Sequence, residues 1–139
     1  MARRFRFESD TSQLNLDLAT LYPDASEALT VASSYLFEKT KQRFLAEVDP
    51  NGRPWAPHAR DYGNPILYRT GKLFNSLYID QSGRLRHTLS WDKSKAPYGV
   101  YHMSGTRYMP ARPFIGISRD DEREIEKRIT TLFRNRAGG

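Results

Sequence analysis

Residues 77–91 read LYIDQSGRLRHTLSW. Leu77 and Ile79 alternate with polar neighbours, and Gln81-Ser82-Gly83 supplies turn residues. Leu85, His87, Leu89 and Trp91 then share one side of the chain, while Arg84, Arg86, Thr88 and Ser90 share the other. A period of two on both sides of a short turn predicts an antiparallel hairpin with an apolar inner face and a basic outer face.

Two long helices are expected to cover that inner face. Asp24-Ala25-Ser26-Glu27 has the spacing of a capping box, in which the first and fourth side chains satisfy each other's free backbone N–H groups. Beyond it Leu29, Ala32, Leu36, Phe44 and Val48 recur at helical spacing, with Glu38 and Gln42 opposite. This predicts a helix over 25–47, stopped by Pro50 and Asn51-Gly52. Near the other end, Ser118-Arg119-Asp120-Asp121 caps a helix over 119–135 whose Ile125, Ile129, Leu132 and Phe133 form a stripe. Early acids (Asp120, Asp121, Glu122) and late bases (Arg134, Arg136) suit its dipole.

The connections are dense in punctuation. DPNGRPWAPHARDYGNP (49–65) holds four of the eight prolines, which predicts a long Pro-rich loop over 49–67 with Trp55 as its apolar anchor. Thr70 is expected to cap a short helix, Gly71–Ser76, that leads into the hairpin. PYGVYHMSG (97–105) reads as a helical turn or a third strand. In MPARPFIGIS (109–118), Pro110 and Pro113 stiffen the backbone around Arg112, and residues 113–118 are expected to form a strand inside the sheet. At the N-terminus Phe5 and Phe7 alternate with Arg4 and Arg6, giving an edge strand or a mobile arm over 1–23; Leu14, Leu16, Leu18 and Leu21 fit a strand or a helical turn. The order implies one α+β domain over 1–139, a small antiparallel sheet packed against two long helices.

Composition narrows the function classes. A chain of 139 residues can bury roughly two thirds of the surface it exposes when unfolded. It has no cysteine, which excludes disulfides, thiolate zinc sites and cysteine nucleophiles. No run approaches the roughly 18 apolar residues of a membrane span, and MARRFRFESD lacks the apolar core of a signal peptide. The chain is therefore read as soluble and not exported, with no membrane partner. Its net charge of +6 is concentrated in residues 49–118, which hold ten basic and four acidic side chains. That excess fits an acidic partner, a phosphate backbone or an acidic protein surface, as well as plain solubility.

Catalytic signatures fail one by one. Gly71-Lys72 lacks the upstream glycine and the following Ser or Thr of a phosphate loop, and Asp49-Pro50-Asn51-Gly52 lacks the closing glutamate of a calcium loop. His58, Asp61, His87 and His102 show no metal-ligand or acid–base spacing, and His87 is expected to face the core. No catalytic residue, cofactor or metal is expected. Tyr68, Arg69, Lys72, Phe74, Tyr78, Arg84 and Arg86 interleave bases with aromatics in a way that suits single-stranded nucleic acid. The preferred reading turns Phe74 and Tyr78, four residues apart, inward together.

Four motifs in order carry a resemblance: RFLAEVDPNGRPWAP, ILYRTGKLFNSLYI, YGVYHMSG, and MPARPFIGIS followed by an amphipathic helix. Together, over about residues 36–133, they resemble the phage virion morphogenesis or tail completion family, the neck and tail-joining proteins of tailed phages. The matching positions are Pro50, Gly52 and Trp55; Thr70, Gly71, Leu73 and Ser76; Tyr98, Tyr101 or His102, and Gly105; and Pro110, Arg112, Pro113, Phe114, Gly116 and Ser118. Gly99 departs from the pattern, which has alanine after the tyrosine.

The resemblance implies a non-enzymatic virion component, assembled in the host cytoplasm, that forms a ring at the neck or upper tail. A hexamer is expected, with neighbouring connector and tail proteins as partners and non-specific contact with passing DNA. A ring needs two different complementary patches on each subunit. Trp55, Arg112 and Phe114 are the candidate subunit-interface residues. Arg84, Arg86, Lys93 and Lys95 form a candidate basic face that meets DNA or protein. The alternative reading is a stand-alone nucleic-acid-binding domain that uses this hairpin face.

Overall fold

The computed structural model describes residues 5–10, 12–18, 25–56, 71–83, 86–107 and 109–138. Strands β1 (Phe5–Ser9), β2 (Leu14–Leu18), β3 (Leu77–Asp80) and β4 (Arg86–Trp91) form one antiparallel sheet in the order β1-β2-β4-β3. Helices α1 (Ala25–Ala46), α2 (Lys72–Ser76), α3 (Gly99–Ser104) and α4 (Arg119–Gly138) complete an α+β fold. The predicted hairpin is present, with Leu77 opposite Trp91 and Asp80 opposite Thr88. Asp24, Thr70, Arg84 and Leu85 lie outside the described residues.

Two N-terminal alternatives are settled and one expectation is corrected. Of the edge strand or mobile arm offered for Phe5 and Phe7, residues 5–9 form the edge strand, and residues 14–18 form β2 inside the sheet between β1 and β4. Leu14 and Leu16 are fully buried opposite Leu89 and His87, so their spacing of two marks a strand and not a helical turn. Residues 113–118, expected as an inner strand, join no ladder. Pro113 has no N–H to give, and the N–H of Phe114 goes to Met103 Sδ at 3.4 Å. The segment is buried, as its apolar run implied, but by side chains of other segments rather than by flanking strands.

The layers also differ from the simple cover expected. α1 packs on the sheet, and α4 makes its main contacts with α1, so α1 lies between the two. A middle layer must be apolar on opposite sides, which is why α1 buries Ala28, Leu29, Ala32, Leu36 and Phe44 along with polar Ser33, Thr40 and Arg43. Toward the sheet, Ser33 Oγ hydrogen-bonds His87 Nδ1 at 2.9 Å. Toward α4, the seam closes on Ile125, Ile129 and the carboxylate of Asp121.

Asp121 joins the two long helices. Its Oδ2 accepts the Ser118 N–H at 3.0 Å while its own N–H donates to Ser118 Oγ at 3.1 Å, the reciprocal pair of a capping box. Its Oδ1 accepts from Arg43 Nη2 at 2.5 Å and from the Tyr35 hydroxyl at 3.1 Å. Burial pushes the Asp121 carboxyl up, but the bonds from Arg43, Ser118 and Tyr35 outweigh it and hold the group below its ordinary value. Three exposed turns repeat one device. Asp10, Asp80 and Asp92 each accept the N–H and the hydroxyl of the serine two residues on, and each carboxyl is lowered chiefly by that serine.

Acid should therefore lower stability in two pH windows. Burial lowers the His87 pKa from 6.5, partly opposed by the charge of Asp80 and the Gly83 backbone. The unfolded chain then binds the extra proton first, and stability falls as pH drops below about 6.5. The lowered carboxyls contribute stability that is held above their ordinary value of 3.8 and lost as pH falls below it. Urea titrations across pH should show both losses, and His87→Gln should remove the upper one alone. Asp121→Ala should cost roughly 3–5 kcal/mol in the same assay, because it leaves Arg43 buried without its counter-charge. Adding Arg43→Met should recover part of that loss, the missing helix cap accounting for the remainder.

Candidate functional site

The end of α1 sets the geometry of the motif-rich region. Glu47 adopts φ 63°, its N–H bonds Phe44 O at 3.3 Å, and the Val48 N–H bonds Arg43 O at 3.1 Å. This left-handed closure, and not Pro50, stops the helix. The chain then reverses tightly, with Asp49 Oδ1 accepting the N–H groups of Asn51 and Arg53 at 2.9 Å each. Val48 bridges Pro54, and the Trp55 N–H returns to Glu47 O at 2.8 Å. The indole of Trp55 is thereby delivered edge-on to Phe44, with ring centroids 5.6 Å apart. The remainder of the expected loop, including His58 and Asp61, lies outside the described residues.

Residues 109–118 clamp this turn from the other side. Trp55 Nε1 donates to Pro113 O at 2.8 Å, and Arg112 Nε donates to Ala56 O at 2.7 Å. Gly116 lies so close to Pro50 that a Cβ there would come within 2.7 Å of the proline Cγ. The same segment holds α3, since the Arg112 N–H bonds His102 O at 2.6 Å and the Phe114 N–H reaches Met103 Sδ. Phe114 packs between Phe44 at 5.7 Å and Trp91 at 5.2 Å, and Phe74 of α2 meets Phe44 at 5.5 Å. All four motifs that carry the resemblance meet in this aromatic cluster.

Position separates the candidates. Trp55 is 5 % exposed, Arg112 5 % and Phe114 1 %, so all three spend their contacts inside the subunit and offer little surface to a neighbour. Phe74 and Tyr78 do not turn inward together: α2 ends at Ser76, the spacing becomes that of a strand, and Tyr78 stands exposed on the outer face of β3. The N-cap of α2 is Gly71, in the left-handed region, and not Thr70.

Among the described residues, the outer sheet face mixes acids with bases. Arg86 binds Asp17 through Nε at 2.5 Å and Nη2 at 2.9 Å, and that carboxylate holds the guanidinium more firmly charged. Arg6 and Arg86 flank Asp17 across the strands, with Glu8 and Asp80 on the same face. Lys93 is folded back, bonding Ser12 O at 3.1 Å and Ser90 Oγ at 2.8 Å with its Nζ 4.3 Å from the Trp91 ring centroid. Lys95 is exposed, and its charge acts on Asp92.

The surface that the sequence reading missed is on α3. Tyr98 and Tyr101 are 38 % and 55 % exposed, and Tyr98 stands edge-on to His102 at 5.8 Å. Both tyrosines were visible as motif letters, but the identical letter serves core and surface, and only the docking of α3 on Trp91 and Phe114 turns these two outward. Among the described residues no group of His, Asp and Glu is arranged to hold a metal ion, and no helix is long and apolar enough to cross a membrane.

The departure at Gly99 has a steric cause. A Cβ there would lie 2.6 Å from the Trp91 indole, which is itself fixed by Nε1 donating to Ala96 O at 2.9 Å. Gly99→Ala should cost about 1–3 kcal/mol of stability by urea denaturation, as overpacking of a rigid ring does. A neutral result would mean that α3 can shift off the indole.

The sequence model of the phage virion morphogenesis family matches residues 11–134. The chain is also similar to Mu-like prophage FluMu G protein 1 of Haemophilus influenzae, at 27 % identity over 130 residues that cover 88 % of each chain. No solved structure matches it.

Proposed function

The chain belongs to the phage virion morphogenesis family, and from that membership we propose that it is a virion protein forming a ring at the neck or upper tail of a tailed phage. In this reading the ring, a hexamer, completes the tail and joins it to the head through contacts with connector and tail proteins. The protein acts by its surfaces and not by catalysis.

The observation that carries the reading is the convergence of the four motifs on one packed cluster. Residues that in an enzyme would converge on a reacting atom here converge on Phe44, Trp91 and Phe114. Their effect is to hold α3 and the turn at 49–53 in a fixed relation, displaying Tyr98 and Tyr101. Exposed tyrosines are favoured anchors at protein interfaces because they bury much area for little lost side-chain freedom. The nucleic-acid reading is the less favoured one, since Arg86 of its hairpin face is paired with Asp17.

Native mass spectrometry and negative-stain microscopy of the protein, alone and with connector and tail components, test the proposal. A closed ring, alone or on a partner, is the expected result. Tyr101→Ala should reduce ring formation or incorporation into particles about tenfold or more while leaving the urea midpoint nearly unchanged. A protein that stays monomeric with every component, yet binds DNA with a steep salt dependence, would sink the reading.

A further inference from the structure

A cavity of about 680 Å³ opens between the C-terminal half of α1, the turn at 50–52 and the first turn of α4. Lys39, Arg43 and Arg119 line it against Asp120 and Asp121, an excess of one positive charge. Arg43 is 9 % exposed and reaches from α1 to the head of α4, where Nη2 is bound by Asp121. Its Nη1 is buried and has no acceptor among the described residues. A buried guanidinium N–H left unbonded costs free energy, so the site favours a group that supplies an oxygen there.

A second observation points the same way. α4 begins at this cavity, and its capping box satisfies the N–H groups of Ser118 and Asp121. The first-turn amides of Arg119 and Asp120 have no partner within the helix and stand at the positive end of its dipole.

We propose that this cavity receives a single carboxylate from an acidic side chain of an adjoining protein in the particle, an inference that rests on the assembly reading above. One excess charge matches one carboxylate. A nucleic-acid strand would bring a succession of phosphates against Asp120, whose side chain is 91 % exposed at the mouth.

Nuclear magnetic resonance titration of the purified protein with sodium acetate, at constant ionic strength against sodium chloride, tests the site directly. The Arg43 guanidinium and the amides of Arg119 and Asp120 should shift and saturate with acetate only. The double variant Lys39→Gln, Arg119→Gln, which spares the buried Arg43–Asp121 pair, should weaken that response about fivefold or more. It should also lower incorporation into particles. A response no different from chloride, an unchanged affinity in the variant, or tighter saturation by inorganic phosphate or a short oligonucleotide overturns the proposal. Full incorporation of a variant that has lost acetate binding overturns the docking role while the assembly reading stands. Wild-type protein missing from particles sinks the assembly reading and the docking role with it, whatever the titration gives.

Discussion

The fold depends on a carboxylate that has been taken out of water. Asp121 is 1 % exposed, and an ionised group in that position is tolerable only if every oxygen is matched. Arg43 and Tyr35 come from α1, and Ser118 comes from the start of α4, so matching the charge fixes the angle and register of one long helix on the other. Arg128 adds to the seam by lying 4.7 Å from the centroid of the Tyr35 ring. Apolar residues alone would leave α4 free to slide along α1 by a turn; a buried ion pair does not allow that.

The same constraint places the motif-rich segments. Arg43 and Phe44 are consecutive, so the residue that holds α4 stands next to the one around which Trp55, Phe74 and Phe114 gather. Ser118 is likewise the end of the segment that clamps the turn at 49–53. A phage morphogenesis protein of this size therefore has one continuous framework running from the α1–α4 seam to α3. Contact surfaces mounted on such a framework are pre-organised, which lowers the entropic cost of docking.

Net charge does not by itself give the local field. The basic excess of residues 49–118 points to a positive hairpin face, and β2 sets Asp17 between Arg6 and Arg86 on it. Pairing across strands depends on which strands are neighbours, and β2 reaches β4 from 69 residues away in sequence. No local count of charges contains that information. The turn chemistry is the opposite case: Asp10-x-Ser12, Asp80-x-Ser82 and Asp92-x-Ser94 close locally, and each could be read from three letters.

What the sequence determined by itself is whatever the chain settles within a few residues. The α4 capping box, the hairpin, the apolar stripe of α4 and the inward face of His87 follow from spacings of two, three and four, and the motif order identified the family. What only the tertiary structure decided is everything that needs a distant neighbour. Residues 113–118 have a strand's composition but no strand to pair with, because Pro113 withholds an N–H and Met103 and Trp55 claim the segment. Trp55, Arg112 and Phe114 look like display residues beside prolines, yet their partners 56 to 58 residues away draw Trp55 and Arg112 inward, as Phe44 and Trp91 do Phe114. Tyr98 and Tyr101 are left outside for the complementary reason: Trp91 and Phe114 fill the space beneath α3.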